Sequence, residues 1–224
     1  LGDVYKRQMK NSEWGACAYL SQNATYGKGS EVWINNSSDY ITGSAGSSVS
    51  ASADEGTTND YKSTQGQNAS TTGNVTGVYD MSGGAWEYVA AYVNNSYTQS
   101  GGNSYTYAQS LIDSVNAGNT KYADVYSIGS SDSYSNNYTA SDPSTSTGHY
   151  GDAVWETSSS YSSTNSWYSD YSGFPRTSGP FFNRGGYYYY DTSAGVFYFY
   201  YDDGYYNSDS SFRVVVPVLR YKGK

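Results

Sequence analysis

The run Tyr187–Ser210, YYYYDTSAGVFYFYYDDGYYNSDS, holds nine tyrosines in 24 residues and constrains the fold more than any other segment. Successive side chains of a strand point to opposite faces, so one sheet face cannot bury them all. Leu, Ile, Val and Phe together number only 29 of the 224 residues. A share that small goes with disorder when net charge is high, but the formal charge here is a modest -8. Instead, 29 Tyr and 5 Trp supply the bulk, each buried aromatic ring covering roughly 150–250 Å². The chain reads as a folded, loop-rich α+β domain of medium size.

Several classes fall away at once. No run of roughly 18 apolar residues is present, so no membrane contact is expected of this segment. With 12 Lys and Arg against 20 Asp and Glu, the chain lacks the basic stripe that a nucleic-acid partner requires. Cys17 is the single cysteine and His149 the single histidine. That leaves no internal disulfide, no Cys-rich zinc site and no His-based triad. Phosphate-binding glycine loops are absent.

Leu1–Gln8, LGDVYKRQ, is read as foreign to the protein. Asp3–Gln8 is what GATGTGTATAAGAGACAG encodes, a string resembling the transposon end used to prepare sequencing libraries, and such scars are set aside from fold reasoning. A single domain over residues 9–221 with a short tail at 222–224 is expected, shortened at its start so that a signal or pilin-like segment is lost.

Asn11–Leu20 opens with capping residues and places Trp14, Cys17 and Ala18 on one helical face. There Cys17 is a small core residue, not a nucleophile. Glu31–Asn35 reads as a brief strand and Ser37–Thr72, rich in Ser, Thr, Gly and Asn, as a surface loop. Tyr79–Val93 has a turn at Ser82–Gly84 leading into core around Trp86. Tyr105–Val115 has helical spacing through Ala108, Leu111, Ile112 and Val115, and Tyr122–Ile128 suits a strand. Ser130–Ser172 is poor in aliphatic residues. Phe181–Tyr190, Gly195–Tyr201 and Ser211–Leu219 read as three strands, with a hairpin-type turn at Asp202–Gly204. The last, with Phe212, Val214, Val216 and Val218 on one side and Val215 on the other, is expected to be buried on both faces, with Pro217 marking an irregularity.

Three segments carry a resemblance: EWGACAYL (Glu13–Leu20), GVYDMSGGAWEYVA (Gly77–Ala90) and RGGYYYY…FRVVV (Arg184–Val216). Together they resemble the formylglycine-generating-enzyme, or sulfatase-modifying-factor, domain family, in order and spacing across most of Asn11–Val216. The resemblance implies a C-type-lectin-like fold with little regular structure, of which bacterial surface proteins carry non-catalytic copies. It also implies two copper-binding cysteines after the Gly-Gly pair. Those positions fall at about Tyr190 and Gly195, neither of which offers the thiolate that Cu(I) prefers, so no copper and no enzyme activity are expected. For calcium, the resemblance implies a set of Asp80, the carbonyls of Gly83 and Ala85, and Glu87, oxygen ligands of the kind Ca²⁺ takes. The alternative for the same residues is that Asp80 caps the turn and Glu87 pairs with a basic residue such as Arg184. Arg184 and Arg213 are read as satisfying groups inside the domain.

Exposed Tyr beside Ser, Asp, Asn and Gly is the palette of adaptable binding surfaces. Its position also resembles the variable region of lectin-fold proteins diversified by retroelements. The candidate ligand-binding residues are Tyr187, Tyr189, Tyr198, Tyr200, Tyr205, Tyr206 and Asn207. The expected role is non-catalytic display at a bacterial cell surface toward a protein or glycan ligand. The competing readings are the head of a pilin-like filament and an enzyme that works without the cysteine pair.

Overall fold

A computed structural model describes residues 6–49, 59–95, 98, 108–127, 150–158, 162–176 and 178–216. His149, Pro217, Val218 and the tail at 222–224 lie outside the described residues, as do Leu1–Tyr5 and much of the stretch 130–172. The architecture is mixed α+β, with few helices and several sheets. Among the described residues no helix is long and apolar enough to cross a membrane.

Helix α1 (Asn11–Ser21) begins where the Glu13 carboxylate accepts the Lys10 N–H at 3.0 Å, and it buries Trp14 and Ala18 completely. Cys17 is half-buried against the same core, and burial pushes its thiol up. The Trp14 indole donates to the Val196 carbonyl at 2.8 Å, tying the helix to the far end of the chain.

The main sheet is organised around β4 (Trp86–Asn94), a run of aromatic, Val and Ala residues buried for most of its length. Its first half pairs in parallel with β10 (Ser210–Phe212), its second half in parallel with β5 (Asp124–Ser127). On its other side β8 (Phe181–Arg184) runs antiparallel, followed by β9 (Phe199–Asp202), β7 (Ser172–Gly173) and β6 (Ser162–Ser163). Strand β2 (Ser44–Ala45) pairs antiparallel with β3 (Asn59–Asp60), so the Ser/Thr-rich stretch has structure within it. Helix α2 (Gln109–Asn116) packs Leu111, Ile112 and Val115 against Tyr92 and Phe181.

Four expectations change. Glu31–Asn35 forms no strand, only a bridge from Asn35 to Gly83, although Ile34 is fully buried. The strand expected over Phe181–Tyr190 ends at Arg184, because Gly185 and Gly186 adopt positive φ and turn the chain out of the sheet. The Asp202–Gly204 turn exists, with Gly204 at φ 85°, but it carries the chain across to β4 and closes no hairpin. The final strand is not buried on both faces. Phe212, Val214 and Val216 face solvent at 64, 47 and 51 % exposure, and Val215 alone packs on the core.

Arg7–Gln8 (β1), set aside on sequence grounds, pairs antiparallel with β11 (Val214–Val215), and the Gln8 amide donates to the Tyr88 carbonyl at 2.7 Å. An open strand edge accepts any extended backbone that reaches it.

Candidate ligand-binding site

Beyond the Gly185–Gly186 turn, Tyr188–Ser193 form an irregular 3₁₀ segment in place of a strand. Tyr187 and Tyr190 flank the Trp86 ring, with centroids at 4.6 and 5.7 Å. Tyr188 meets Tyr40 edge-on at 5.8 Å, and Tyr189 stands clear at 64 % exposure. Half of this tyrosine run is thus packing. Tyr198 is entirely buried and its hydroxyl accepts the Trp86 indole N–H at 3.2 Å. It is core, and its place among the ligand-binding candidates is corrected. Alternation starts only where β9 begins, so Tyr198 follows the loop packing instead of the sheet's outward face.

Tyr200 is half-buried, stacked on Tyr201 with centroids 4.2 Å apart and seated over Gly173, where a Cβ would collide with its ring. Gly204 then releases the chain, and Tyr205 and Tyr206 stack on each other at 4.8 Å while both remain exposed. The Asp202 carboxylate builds this bend. It accepts the Gly204 N–H at 3.0 Å, the Asn183 amide at 2.9 Å and the Tyr88 hydroxyl, which also lies 2.7 Å from the Tyr205 carbonyl. Burial raises its pKa.

Tyr200, Tyr205 and Asn207 come together around a cavity of about 470 Å³ that Tyr201, Asp203 and Arg176 also line. Arg176 was not anticipated. Its guanidinium lies 4.0 Å from the Tyr201 ring centroid, a cation–π position. The only sequence signal for it is a cation beside a proline in an acidic chain. Tyr206 faces a second, more apolar cavity of about 240 Å³ beside Phe212, which Tyr205 also borders. Tyr187 and Tyr189 stay with the Trp86 cluster and line neither.

Of the candidate calcium residues, Asp80, Ala85 and Glu87 line a different cavity, of about 300 Å³, together with Tyr40 and Arg213, and Gly83 does not line it. Asp80, at φ 62°, accepts the Gly43 N–H at 2.9 Å and the Asn35 amide at 3.0 Å. Glu87 is held by Arg213 through two bonds, Nε at 3.0 Å and a terminal nitrogen at 2.5 Å. Burial raises the Glu87 carboxyl to about 7, with Arg213 pulling the other way. Gly83 donates its N–H to the Gly185 carbonyl at 2.9 Å, joining the two motif-bearing turns. This donor set does not fit Ca²⁺. One carboxylate is neutralised by a guanidinium lining the same cavity, and the other already serves a backbone turn, whereas the ion takes six to eight oxygens. Glu87 has a basic partner, as the alternative reading held, but it is Arg213. Arg184 is fully buried and donates to the Asn11 side-chain oxygen and to the carbonyls of Asp152 and Ala153 at 3.0–3.2 Å.

The copper positions fit no better. Tyr190 leans on Trp86 and Tyr198. Gly195 is pressed against the buried Asp170, so that a Cβ there would collide with both carboxylate oxygens. No side chain of any kind has room at that position. Comparison of the chain with protein-family models, with curated proteins and with solved structures gives no match.

Proposed function

We propose that the chain is a non-catalytic ligand-binding domain of C-type-lectin-like type, displayed at a bacterial cell surface, that takes a protein ligand at Tyr200–Asn207. The observation carrying this reading is the cavity in which Tyr200, Tyr205 and Asn207 converge with Arg176 and Asp203. Its volume lies in the range of small-molecule and side-chain sites. The stacked, exposed Tyr205–Tyr206 pair supplies rigid amphipathic area, and Asn and Asp beside it supply adaptable hydrogen bonding. A cation and an anion on the same rim favour a peptide, which carries both signs, over an uncharged glycan. The Asp203 carboxylate fixes the loop by accepting the Tyr205 N–H at 3.0 Å, so the surface is formed before a ligand arrives.

The test is selection of a displayed random-peptide library on the immobilised chain, followed by affinity measurement on the variants. Tyr205→Ala and Asn207→Ala are expected to weaken the selected peptides at least about tenfold, as removal of a central interface contact does. Both should leave stability within about 0.5 kcal/mol, as exposed positions do. Peptides that bind these variants as well as the parent chain, or no enriched peptide at all, would count against the site. Tyr200→Ala is a poor probe, since its ring is packed on Tyr201 and Tyr171.

A further inference from the structure

A second aromatic surface lies away from Tyr200–Asn207 and does not depend on the reading given for it. In the loop Ser166–Asp170, Tyr168 (φ 60°, ψ 16°) and Ser169 (φ 67°) are consecutive non-glycine residues in the left-handed region. That conformation is uncommon for one such residue and is retained only where surrounding structure enforces it. The enforcement is visible. The Ser166 N–H donates to the Asp170 carbonyl at 3.1 Å, and the Asp170 N–H donates to the Trp167 carbonyl at 3.2 Å. The Ser166 hydroxyl donates to the Phe197 carbonyl at 3.1 Å, and the buried Asp170 carboxylate accepts the Phe197 N–H at 2.9 Å.

The result is a pair of rings, Trp167 and Tyr168, backed by Phe197 at centroid distances of 5.0 and 6.2 Å yet left 44 and 45 % exposed. They border a cavity of about 410 Å³ with Gln22, at the end of α1, and Gly29. None of these four lining residues carries a charge. Lys28, next to Gly29 in the chain, does not line it, and its ammonium donates to the Glu31 carbonyl and the Ser30 hydroxyl. The Tyr168 hydroxyl donates to the Gln22 side-chain oxygen, and the Gln22 amide nitrogen donates to the Ser21 hydroxyl at 2.8 Å. Each group keeps capacity in reserve, a second amide hydrogen on Gln22 and an oxygen lone pair on Tyr168.

We infer that this surface is a binding site for a neutral saccharide. The Trp167 and Tyr168 faces stack on the C–H face of a sugar ring, while Gln22 donates to one hydroxyl and the Tyr168 oxygen accepts from another. An uncharged lining gives no hold on an ion or a charged peptide. The locked loop presents the rings without an ordering cost at binding.

The test uses the ¹⁵N-labelled chain, with the Trp167 indole cross-peak assigned through Trp167→Phe. Maltohexaose, cellohexaose and chitohexaose are the probes. At least one is expected to shift that cross-peak saturably. Gln22→Ala should weaken the interaction about fivefold, the worth of one hydrogen bond, and Trp167→Ala should abolish it. Tyr205→Ala should leave it unchanged, so failure here and failure of the peptide site are read separately. The inference is overturned if none of the three moves the cross-peak, or if binding is equally strong in Gln22→Ala. Because Trp167 also packs on Phe197 and Tyr19, Gln22→Ala decides alone where Trp167→Ala does not fold.

Discussion

Gly195 shows how narrowly a single position can be fixed. A methyl group there would strike the carboxylate of Asp170, which is fully buried and bonded to the Phe197 N–H, so it cannot swing aside. Gly195→Ala is therefore expected to cost about 2–3 kcal/mol, in the range of overpacking a closed core, measured by denaturant unfolding against the parent chain. A change below about 0.5 kcal/mol, the surface range, would show the loop to be more yielding than drawn. The sequence at this position shows only that a cysteine is missing. That none could be accommodated follows from Asp170, which lies 25 residues earlier and has no motif of its own.

At the scale of elements, the last strand buries one face where burial of both was expected. By sequence Phe212, Val214 and Val216 are expected to be buried along with Val215, yet they face solvent, and the side turned inward carries Ser211, Arg213 and Val215. The cause is Arg213: its two bonds to Glu87, on the neighbouring strand β4, need that face. Arg213→Ala strands a buried carboxylate and should cost about 3 kcal/mol at pH 8. Phe212→Ala, on the solvent side, should stay within about 0.5 kcal/mol. Urea melts of the two variants check the orientation, and reversal of their order would restore the inward reading of Phe212. At pH 8, where Glu87 is ionised and bonded to Arg213, EDTA should leave the melting temperature of the parent chain where it is.

Over the whole molecule, three acids are buried: Asp152 and Asp170 in the interior and Glu87 at the wall of a cavity. Asp152 is fully buried, its carboxylate accepting the Tyr126 hydroxyl at 2.5 Å, and burial raises it to about 7. Asp170 is raised well above the ordinary range, and Glu87 to about 7, burial being the leading cause for both. Folded, these groups hold protons that the unfolded chain gives up near pH 4. For Asp152 and Glu87 the stability contributed is therefore present at low pH and is lost as pH rises through about 7, and Asp170 acts in the same direction. Asp152 and Glu87 each remove about 1.4 kcal/mol for every pH unit across that window. Thermal melts should show the chain more stable at pH 5 than at pH 8, and a flat or opposite profile between them would refute the burial assigned to these acids. The buried Arg184, lowered to about 10 by burial, stays charged throughout and does not share in the change.

The sequence by itself determined the local elements. Helix α1 follows from Glu13 and the Trp14/Ala18 face, α2 from its apolar spacing and β5 from its alternation, while the Trp86 run was legible as core and its extended form as β4 emerged only in the sheet. It also located the turn at Ser82–Gly84, where Gly83 and Gly84 take the positive φ that glycine allows, but its pattern runs a strand through Gly185–Gly186, which the fold bends out of the sheet. Which tyrosines face outward was decided by tertiary structure alone. Tyr198 is core because Trp86, 112 residues away, meets its hydroxyl, and Tyr189 is exposed because the turn before it leaves the sheet. Arg176 over Tyr201, Arg213 on Glu87 and Gln22 beside Tyr168 are likewise pairings between distant parts of the chain. Local pattern fixes backbone conformation, which depends on neighbours in sequence. Exposure and charge pairing depend on what the fold brings against each side chain, and that is set only when the whole chain has closed.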